Sequence, residues 1–170
     1  LRELAAAETA KPNSAAPVVY CSDLRLADAL PNTAPQPILW ASHLFVFSGS
    51  SALENRERLY QQLYYSGVNE QEFAAQAGRD SFLQLALFGW ERMMQQAHTR
   101  AIGEEDVRRE TSLYAEYIGA FNAARAAAPP VGYLVTPAMG GPSLTNFDRW
   151  YERGSGERIG DYMLYRPRQR

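Results

Sequence analysis

The chain has 170 residues, a length that suits one domain with a sizeable core. With 46% hydrophobic, 21% charged and 12% aromatic residues, its composition indicates a folded protein. The net charge of -2 offers no basic surface, so we expect no nucleic-acid partner. One cysteine, Cys21, and two histidines exclude an internal disulfide and argue against a structural zinc site, so we expect no metal and no cofactor.

The first third of the chain alternates helical and strand-like patterns. Residues 1–10 predict a helix, which the prolines of KPNSAAP end. PVVYCSD (17–23) is a β-branched run bounded by proline and aspartate, which is typical of a buried strand. LRLADALP predicts a brief helix that ends at Pro31. PILWASHLFVF (37–47) predicts one strand, or two short strands interrupted near His43.

The middle of the chain predicts helices. Ser51-x-x-Glu54 is a capping box, and Gly67 is placed to end the helix that it starts. The apolar face of this helix consists of Leu53, Tyr60, Leu63 and Tyr64. NEQEFAAQAG predicts a second helix, which ends at Gly78.

Two longer helices are predicted after Gly78. DSFLQLALFGWERMMQQAH (80–98) is apolar nearly all round, which predicts a buried helix with Met93 and Met94 beside Trp90 in the core. Gln84 completes a second capping box at its start. GEEDVRRETSLYAEYIGAFNAARAAAPP has acids in its first turn and prolines at its end, as expected of a helix.

The C-terminal part predicts strands. VGYLVTP (131–137) predicts a third buried strand. In the ring-rich stretch that follows, residues 147–153 and 158–166 flank Gly154-Ser155-Gly156, which predicts an antiparallel hairpin at the sheet edge. Rings in this stretch could instead form a platform for a sugar. The fold class is therefore α/β, a small mixed sheet flanked by helices, with parallel early strands and a C-terminal antiparallel hairpin.

Candidate site residues follow from the expected sheet. Ligands of open α/β sheets bind beyond the carboxyl ends of strands, where Ser22, Asp23, His43 and Thr136 fall. We take these four as candidate ligand-binding residues. A nucleophilic set of Cys21, His43 and Asp23 is one interpretation, and a thiol buried in an apolar strand is the other.

A further candidate is Ser50 in FSGSSALEN (47–55), where amides at a helix start could hold a phosphate or carboxylate. The stretch lacks the lysine of a P-loop and the glycines of a dinucleotide fingerprint. Helix capping alone accounts for Ser51 and Glu54. No set of residues in the chain amounts to a catalytic motif, so we expect no catalysis from this domain alone.

Four stretches carry a resemblance to a known family: SDLRLADALPNTAPQPILWASH, SGSSALENRERLYQQLYYSG, ALFGWER and FDRWYERGSGERIGDYMLYR. Together they resemble the soluble tail after the last transmembrane helix of bacterial polytopic membrane proteins similar to C-type glycosyltransferases. The resemblance implies an extracytoplasmic, periplasmic domain that contacts its own transmembrane region and assists glycosyl transfer or acceptor binding. Its implied partner is a carbohydrate or a lipid-linked sugar.

The resemblance assigns no catalytic residue, because acidic residues in loops of the membrane part are usually held responsible for that chemistry. The chain begins at Leu1 without a methionine, which we interpret as a domain cut from a longer membrane protein. The alternative is a free-standing small α/β enzyme or ligand-binding protein that uses the cleft at the strand ends. The reading frame upstream of Leu1 distinguishes the two.

Overall fold

The computed structural model describes residues 17–32, 35–42, 51–95 and 102–170. The helices are α1 (Leu24–Ala29), α2 (Ala52–Tyr65), α3 (Glu70–Ala77), α4 (Ser81–Phe88), α5 (Trp90–Gln95), α6 (Glu104–Gly119), α7 (Ala123–Ala126) and α8 (Thr145–Asp148), with a 3-10 turn at Leu30–Asn32. The strands are β1 (Val18–Cys21), β2 (Val131–Pro137), β3 (Tyr151–Glu152), β4 (Glu157–Ile159), β5 (Tyr162–Tyr165) and β6 (Arg168–Gln169).

Four of the strands form a mixed sheet in the order β1-β2-β5-β4. β1 is parallel to β2, whereas β2–β5 and β5–β4 are antiparallel. β3 and β6 form a separate two-stranded antiparallel ribbon. The predicted fold class, a mixed sheet with parallel early strands and an antiparallel hairpin among helices, is confirmed.

The sheet is covered on both faces, as the continuous apolar sequence of β1 predicts. Val18 and Tyr20 face one core, which includes rings from α2, α8 and the start of β3. Val19 and Cys21 face the other core, which α1 covers. This alternation is the two-residue period of a strand, and burial on both faces explains why no polar residue interrupts it. A third core lies among α2, α3, α4 and α6.

Residues 37–42 are the described part of the strand predicted over 37–47, and they form almost no strand. Within residues 37–42 only an isolated parallel bridge joins Ile38 to Val19. Two backbone hydrogen bonds accompany it, from Val19 to Pro37 and from Leu39 to Val19, each of 2.8 Å. Residues 43–47 and the helix predicted for 1–10 lie outside the described residues.

The predicted C-terminal hairpin uses different residues. β4 and β5 form it around the two-residue loop Gly160-Asp161, with Ile159 opposite Tyr162. Gly160 has a φ of 59°, and a Gly-Asp loop of two residues matches strand twist better than the longer Gly-Ser-Gly segment. Gly154-Ser155-Gly156 instead links the β3–β6 ribbon to the sheet. The pairing predicted between 147–153 and 158–166 is therefore wrong, although a hairpin does lie at the sheet edge.

Local hydrogen bonds fix the helix starts where the sequence predicts them. The Ser51 hydroxyl accepts from the Glu54 amide at 3.1 Å, and Gly67 follows α2 with a φ of 79°. Asp80 caps α4 through the amides of Phe82 and Leu83. Because the N-cap is Asp80, Gln84 lies one residue beyond the capping-box position, and its side-chain amide donates to the Ala77 carbonyl at 2.9 Å instead.

The prediction of a single buried helix over 80–98 is wrong. Gly89, at a φ of 81°, separates α4 from α5, and this backbone conformation strongly favours glycine. The break turns Trp90 and Met94 to solvent, where each is 54% exposed. Leu53 is likewise exposed rather than part of the apolar face of α2.

Candidate functional site

The structure brings together two of the predicted site residues at the carboxyl ends of β1 and β2. The Ser22 hydroxyl donates to Thr136 Oγ1 at 3.0 Å. Thr136 is buried, and a Cβ on Gly141 would lie 2.8 Å from its Oγ1, so the loop after β2 closes over this pair. The two hydroxyls therefore join the strand ends and offer little to a ligand.

Asp23 is the third predicted residue at this edge, and both oxygens of its carboxylate accept hydrogen bonds within the chain. Oδ1 accepts from the amides of Arg25 and Leu26 at 2.9 and 3.2 Å, which caps α1. Oδ2 accepts from the Tyr162 hydroxyl at 3.0 Å, a hydrogen bond that raises the pKa of Tyr162. Asp23 thus fixes α1 to β5. The remaining predicted site residues, His43 and Ser50, lie outside the described residues.

The thiol of Cys21 is placed as a core group. It is fully buried, and Sγ donates to the Asp23 carbonyl at 3.2 Å. Burial raises the pKa of Cys21 to about 12, so the thiol stays protonated at neutral pH. Because the thiolate is the nucleophilic form, the geometry favours the buried-thiol interpretation over the nucleophilic set.

A cavity of about 420 Å³ opens beyond the carboxyl end of β1, between α1, α2 and the α3–α4 junction. Its inner wall is apolar and comes from Trp40, Leu59, Leu63 and Leu83, all buried. Leu24 and Phe82 stand at its exposed margin. Its position follows the strand-end rule, and its volume lies in the range of about 300–1,000 Å³ typical of small-molecule sites.

Gln62 lines this cavity and supplies a polar group within the apolar wall. Its Nε2 donates to the Cys21 carbonyl at 2.9 Å, which connects α2 to the end of β1. Its Oε1 has no hydrogen-bond partner, although the residue is only 1% exposed. A buried acceptor without a donor costs about 1–3 kcal/mol, so a donor that reached this oxygen would remove that cost.

Charged and hydroxyl groups surround the cavity mouth. The Ser42 hydroxyl donates to Asp28 Oδ2 at 2.8 Å, which links α1 to the segment after Ile38. Arg25 and Asp80 line other parts of the mouth. The site therefore combines an apolar wall, one buried acceptor and a polar entrance, the usual composition of a pocket for a small amphipathic molecule.

Sequence reasoning missed Gln62, although a signal for it exists. Leu59, Gln62 and Leu63 are spaced at i, i+3 and i+4, so the amide falls on the buried stripe of α2. A glutamine within an apolar stripe needs partners, and one of its two polar atoms lacks one.

A second buried polar group was also missed. Glu110 of α6 is 2% exposed, accepts from the Tyr60 hydroxyl at 2.6 Å, and lies 2.9 Å from Arg56 Nε. The Arg56 N–H is not aligned for a hydrogen bond, so the contact is an ion pair. Burial is the main cause that raises the pKa of Tyr60, and the hydrogen bond to Glu110 raises it further. These three side chains join α2 to α6 away from the cavity.

No protein-family model, curated protein or solved structure matches the chain. In the ranges that the structure describes, no helix is long and apolar enough to cross a membrane. The same ranges contain no group of three or more histidine, cysteine, aspartate or glutamate side chains placed to hold a metal ion.

Proposed function

We propose that the chain is a non-catalytic binding domain, and that the cavity beyond β1 holds a small amphipathic molecule that carries hydroxyl or amide donors. The observation that carries the proposal is an apolar cavity at the strand end whose lining includes Gln62, a residue with an unpaired buried oxygen. Because Oε1 is buried, a ligand donor reaches it only when the Gln62 amide turns toward the cavity. The broad terminal torsion of glutamine permits this turn, which weakens the bond from Nε2 to the Cys21 carbonyl.

The cavity lining indicates what each part of the ligand contacts. An apolar portion packs against Leu59, Leu63 and Leu83, whose burial gives roughly 25 cal/mol for each Å² removed from water. Hydroxyl groups pair with Gln62 inside and with Asp28 or Asp80 at the mouth. A sugar attached to an apolar chain or group has this combination of surfaces.

We extend the proposal to the cellular context that the resemblance implies. The domain is then the periplasmic part of a bacterial membrane protein similar to C-type glycosyltransferases, and it assists glycosyl transfer by holding a carbohydrate acceptor or a lipid-linked sugar. The mixed apolar and hydroxyl-pairing lining supports such a ligand. The buried, protonated Cys21 supports a binding role over a nucleophilic enzyme, the alternative.

The binding proposal is tested with octyl glucoside below its micelle concentration, with glucose and octanol as partial probes. Amide chemical shifts in nitrogen-15-labelled protein should change around α1, α2 and α4 with octyl glucoside, and less with either partial probe. Octanol that binds as tightly as octyl glucoside would contradict the hydroxyl requirement. Shifts confined to residues away from this cavity would contradict the site.

Two exposed aromatic residues give a matched pair of variants. Phe82 lines the cavity and is 56% exposed, whereas Trp90 lies outside it and is 54% exposed. We expect Phe82→Ala to weaken octyl glucoside binding about fivefold, since losing about 40 Å² of apolar contact costs roughly 1 kcal/mol. Trp90→Ala should leave binding unchanged, and neither variant should alter the melting temperature by more than a few degrees. Equal effects from both variants would overturn the assignment.

The membrane context and the enzyme alternative have separate tests. Several hydrophobic helices encoded upstream of Leu1, together with protease access to the domain only from the periplasm, would support the context. A reading frame without such helices would contradict it. Ester, thioester or glycoside turnover that is lost in Cys21→Ala or His43→Ala would establish the enzyme instead.

A further inference from the structure

A second cavity, of about 380 Å³, lies between the β3–β6 ribbon and the β4–β5 hairpin. Three arginines, two glutamates and the Gly154-Ser155-Gly156 segment line it, so it is polar where the cavity beyond β1 is apolar. The C-terminal segment that contains this cavity, residues 146–170, is rich in arginine. Residues 146–170 hold six arginines and four acidic residues in a chain whose net charge is -2.

Arg153 is fixed in the wall of this cleft. Its Nε and Nη2 donate to the two carboxylate oxygens of Asp148 at 2.6 and 2.7 Å, a bidentate pair. Its guanidinium also lies 5.4 Å from the centre of the Tyr165 ring. Arg153 is therefore oriented and its charge is matched by Asp148.

Arg166 and Arg168 differ from Arg153 because neither side chain has a hydrogen bond or an ion pair with any residue of the described ranges. They lie on either side of Pro167, and both line the cleft. The buried Pro167 between them fixes the backbone at this point. Two unpaired guanidinium groups thus face one cavity.

The opposite wall is preformed. The Tyr165 ring packs so closely on Gly156 that a Cβ there would lie 2.5 Å from the ring. This contact holds Gly156 in place, and the Gly154-Ser155-Gly156 segment lines the cleft. A preformed wall reduces the entropy lost on binding.

We propose that this cleft binds a phosphate monoester of a hydroxylated compound, of the sugar phosphate class. Arg166 and Arg168 receive the phosphate, because a guanidinium pairs with phosphate oxygens through parallel N–H donors. Glu152 and Glu157, which line the same cleft, accept hydrogen bonds from neighbouring hydroxyl groups and disfavour a bare anion. The site is separate from the cavity beyond β1, and the inference does not rest on the function proposed there.

The test is calorimetric titration of the protein at low ionic strength with glucose 6-phosphate, inorganic phosphate and glucose. Glucose 6-phosphate should bind most tightly, phosphate more weakly and glucose weakest of the three. Added salt should weaken the binding of the phosphate ester, as expected for pairing between exposed charges. Equal affinity for phosphate and glucose 6-phosphate would overturn the proposal, and so would an absence of binding by the ester.

Two double variants that remove the same charge distinguish an effect of the cleft on glucose 6-phosphate binding from an effect of the protein's net charge. Arg166→Gln with Arg168→Gln should weaken glucose 6-phosphate binding by about tenfold or more, because hydrogen bonds to charged groups are strong. Arg158→Gln with Arg170→Gln removes the same charge from exposed residues that do not line the cleft, and should change the affinity less than twofold. Equal weakening by both pairs would overturn the proposal.

The two proposals fail independently in these experiments. Phe82→Ala should leave glucose 6-phosphate binding unchanged, and the Arg166 and Arg168 double variant should leave octyl glucoside binding unchanged. Since all four arginines are exposed, we expect thermal melts of both double variants to match that of the unaltered protein. Loss of the melting transition in the site variant alone would mean that the arginines stabilise the fold, which also overturns the proposal.

Discussion

Replacement of Gly156 by alanine tests the packing of the C-terminal segment. Gly156 has a φ of 68°, and the left-handed conformation costs a residue with a Cβ about 1–2 kcal/mol. The new Cβ would also lie 2.5 Å from Cε1 and 2.7 Å from Cδ1 of Tyr165. Moving a packed ring costs typically about 1–3 kcal/mol, so we expect the free energy of unfolding to fall by about 2–5 kcal/mol.

Gly154→Ala is the matched control, because Gly154 has a φ of 70° and a Cβ added there would meet no atom within 4 Å. It should lose only the conformational part, about 1–2 kcal/mol. Urea unfolding followed by circular dichroism measures both, and each kcal/mol should lower the melting temperature by about 2–4 °C for a protein of this size. Equal losses in the two variants would refute the role of the Tyr165 contact, and a larger loss in Gly154→Ala would refute the described turn.

Three further predictions follow from buried groups and caps. Burial raises the pKa of six tyrosines: Tyr20, Tyr60, Tyr65, Tyr114, Tyr117 and Tyr151. Because the unfolded chain releases these phenolic protons at lower pH than the folded chain, the free energy of unfolding should fall as the pH rises above about 10. Tyrosinate absorbance, compared between native protein and protein in urea, measures this difference in pKa. Iodoacetamide at pH 8 should alkylate Cys21 much more slowly in native protein than in urea, since burial raises its pKa to about 12, and equal rates would contradict its placement. Ser51→Ala should lower the free energy of unfolding by about 1 kcal/mol through loss of the cap on α2, and an unchanged urea midpoint would contradict that role.

Local sequence patterns predicted much of the fold because the corresponding forces are local. The strand over 131–137 is predicted with its observed bounds, since a β-branched apolar run suits a strand buried on both faces. The start of α2 at Ser51 depends on one hydrogen bond across three residues. Gly89 was misjudged because hydrophobic periodicity continues through it, whereas the backbone does not. The two-residue Gly160-Asp161 loop is a local hairpin signal that the prediction overlooked in favour of Gly154-Ser155-Gly156, whereas the pairing of β3 with β6 joins distant positions and has no such signal.

The candidate site was predictable only in its location. The rule that ligands bind beyond strand ends indicates the edge at which Ser22 lies beside Thr136 and near which the apolar cavity opens. It did not predict that these hydroxyls satisfy each other. The role of Gln62 depends on a contact with Cys21, 41 positions away, and on the absence of a partner for one oxygen. The spacing of Leu59, Gln62 and Leu63 indicates a buried amide, but which of its two polar atoms finds a partner is decided by the packed structure.

The parallel pairing of β1 with β2 has a consequence for synthesis on the ribosome. Val18 lies opposite Val131, so the two strands are separated by about 110 residues, and closing a loop of this length costs on the order of 4 kcal/mol of chain entropy. At translation rates of roughly 5–20 residues per second, the apolar segment of β1 waits about 5–20 s for its partner strand. Apart from the bridge at Ile38, it has no strand to pair with among the described residues during that time. The nascent chain therefore exposes the apolar segment of β1 well before the strand that pairs with it is made.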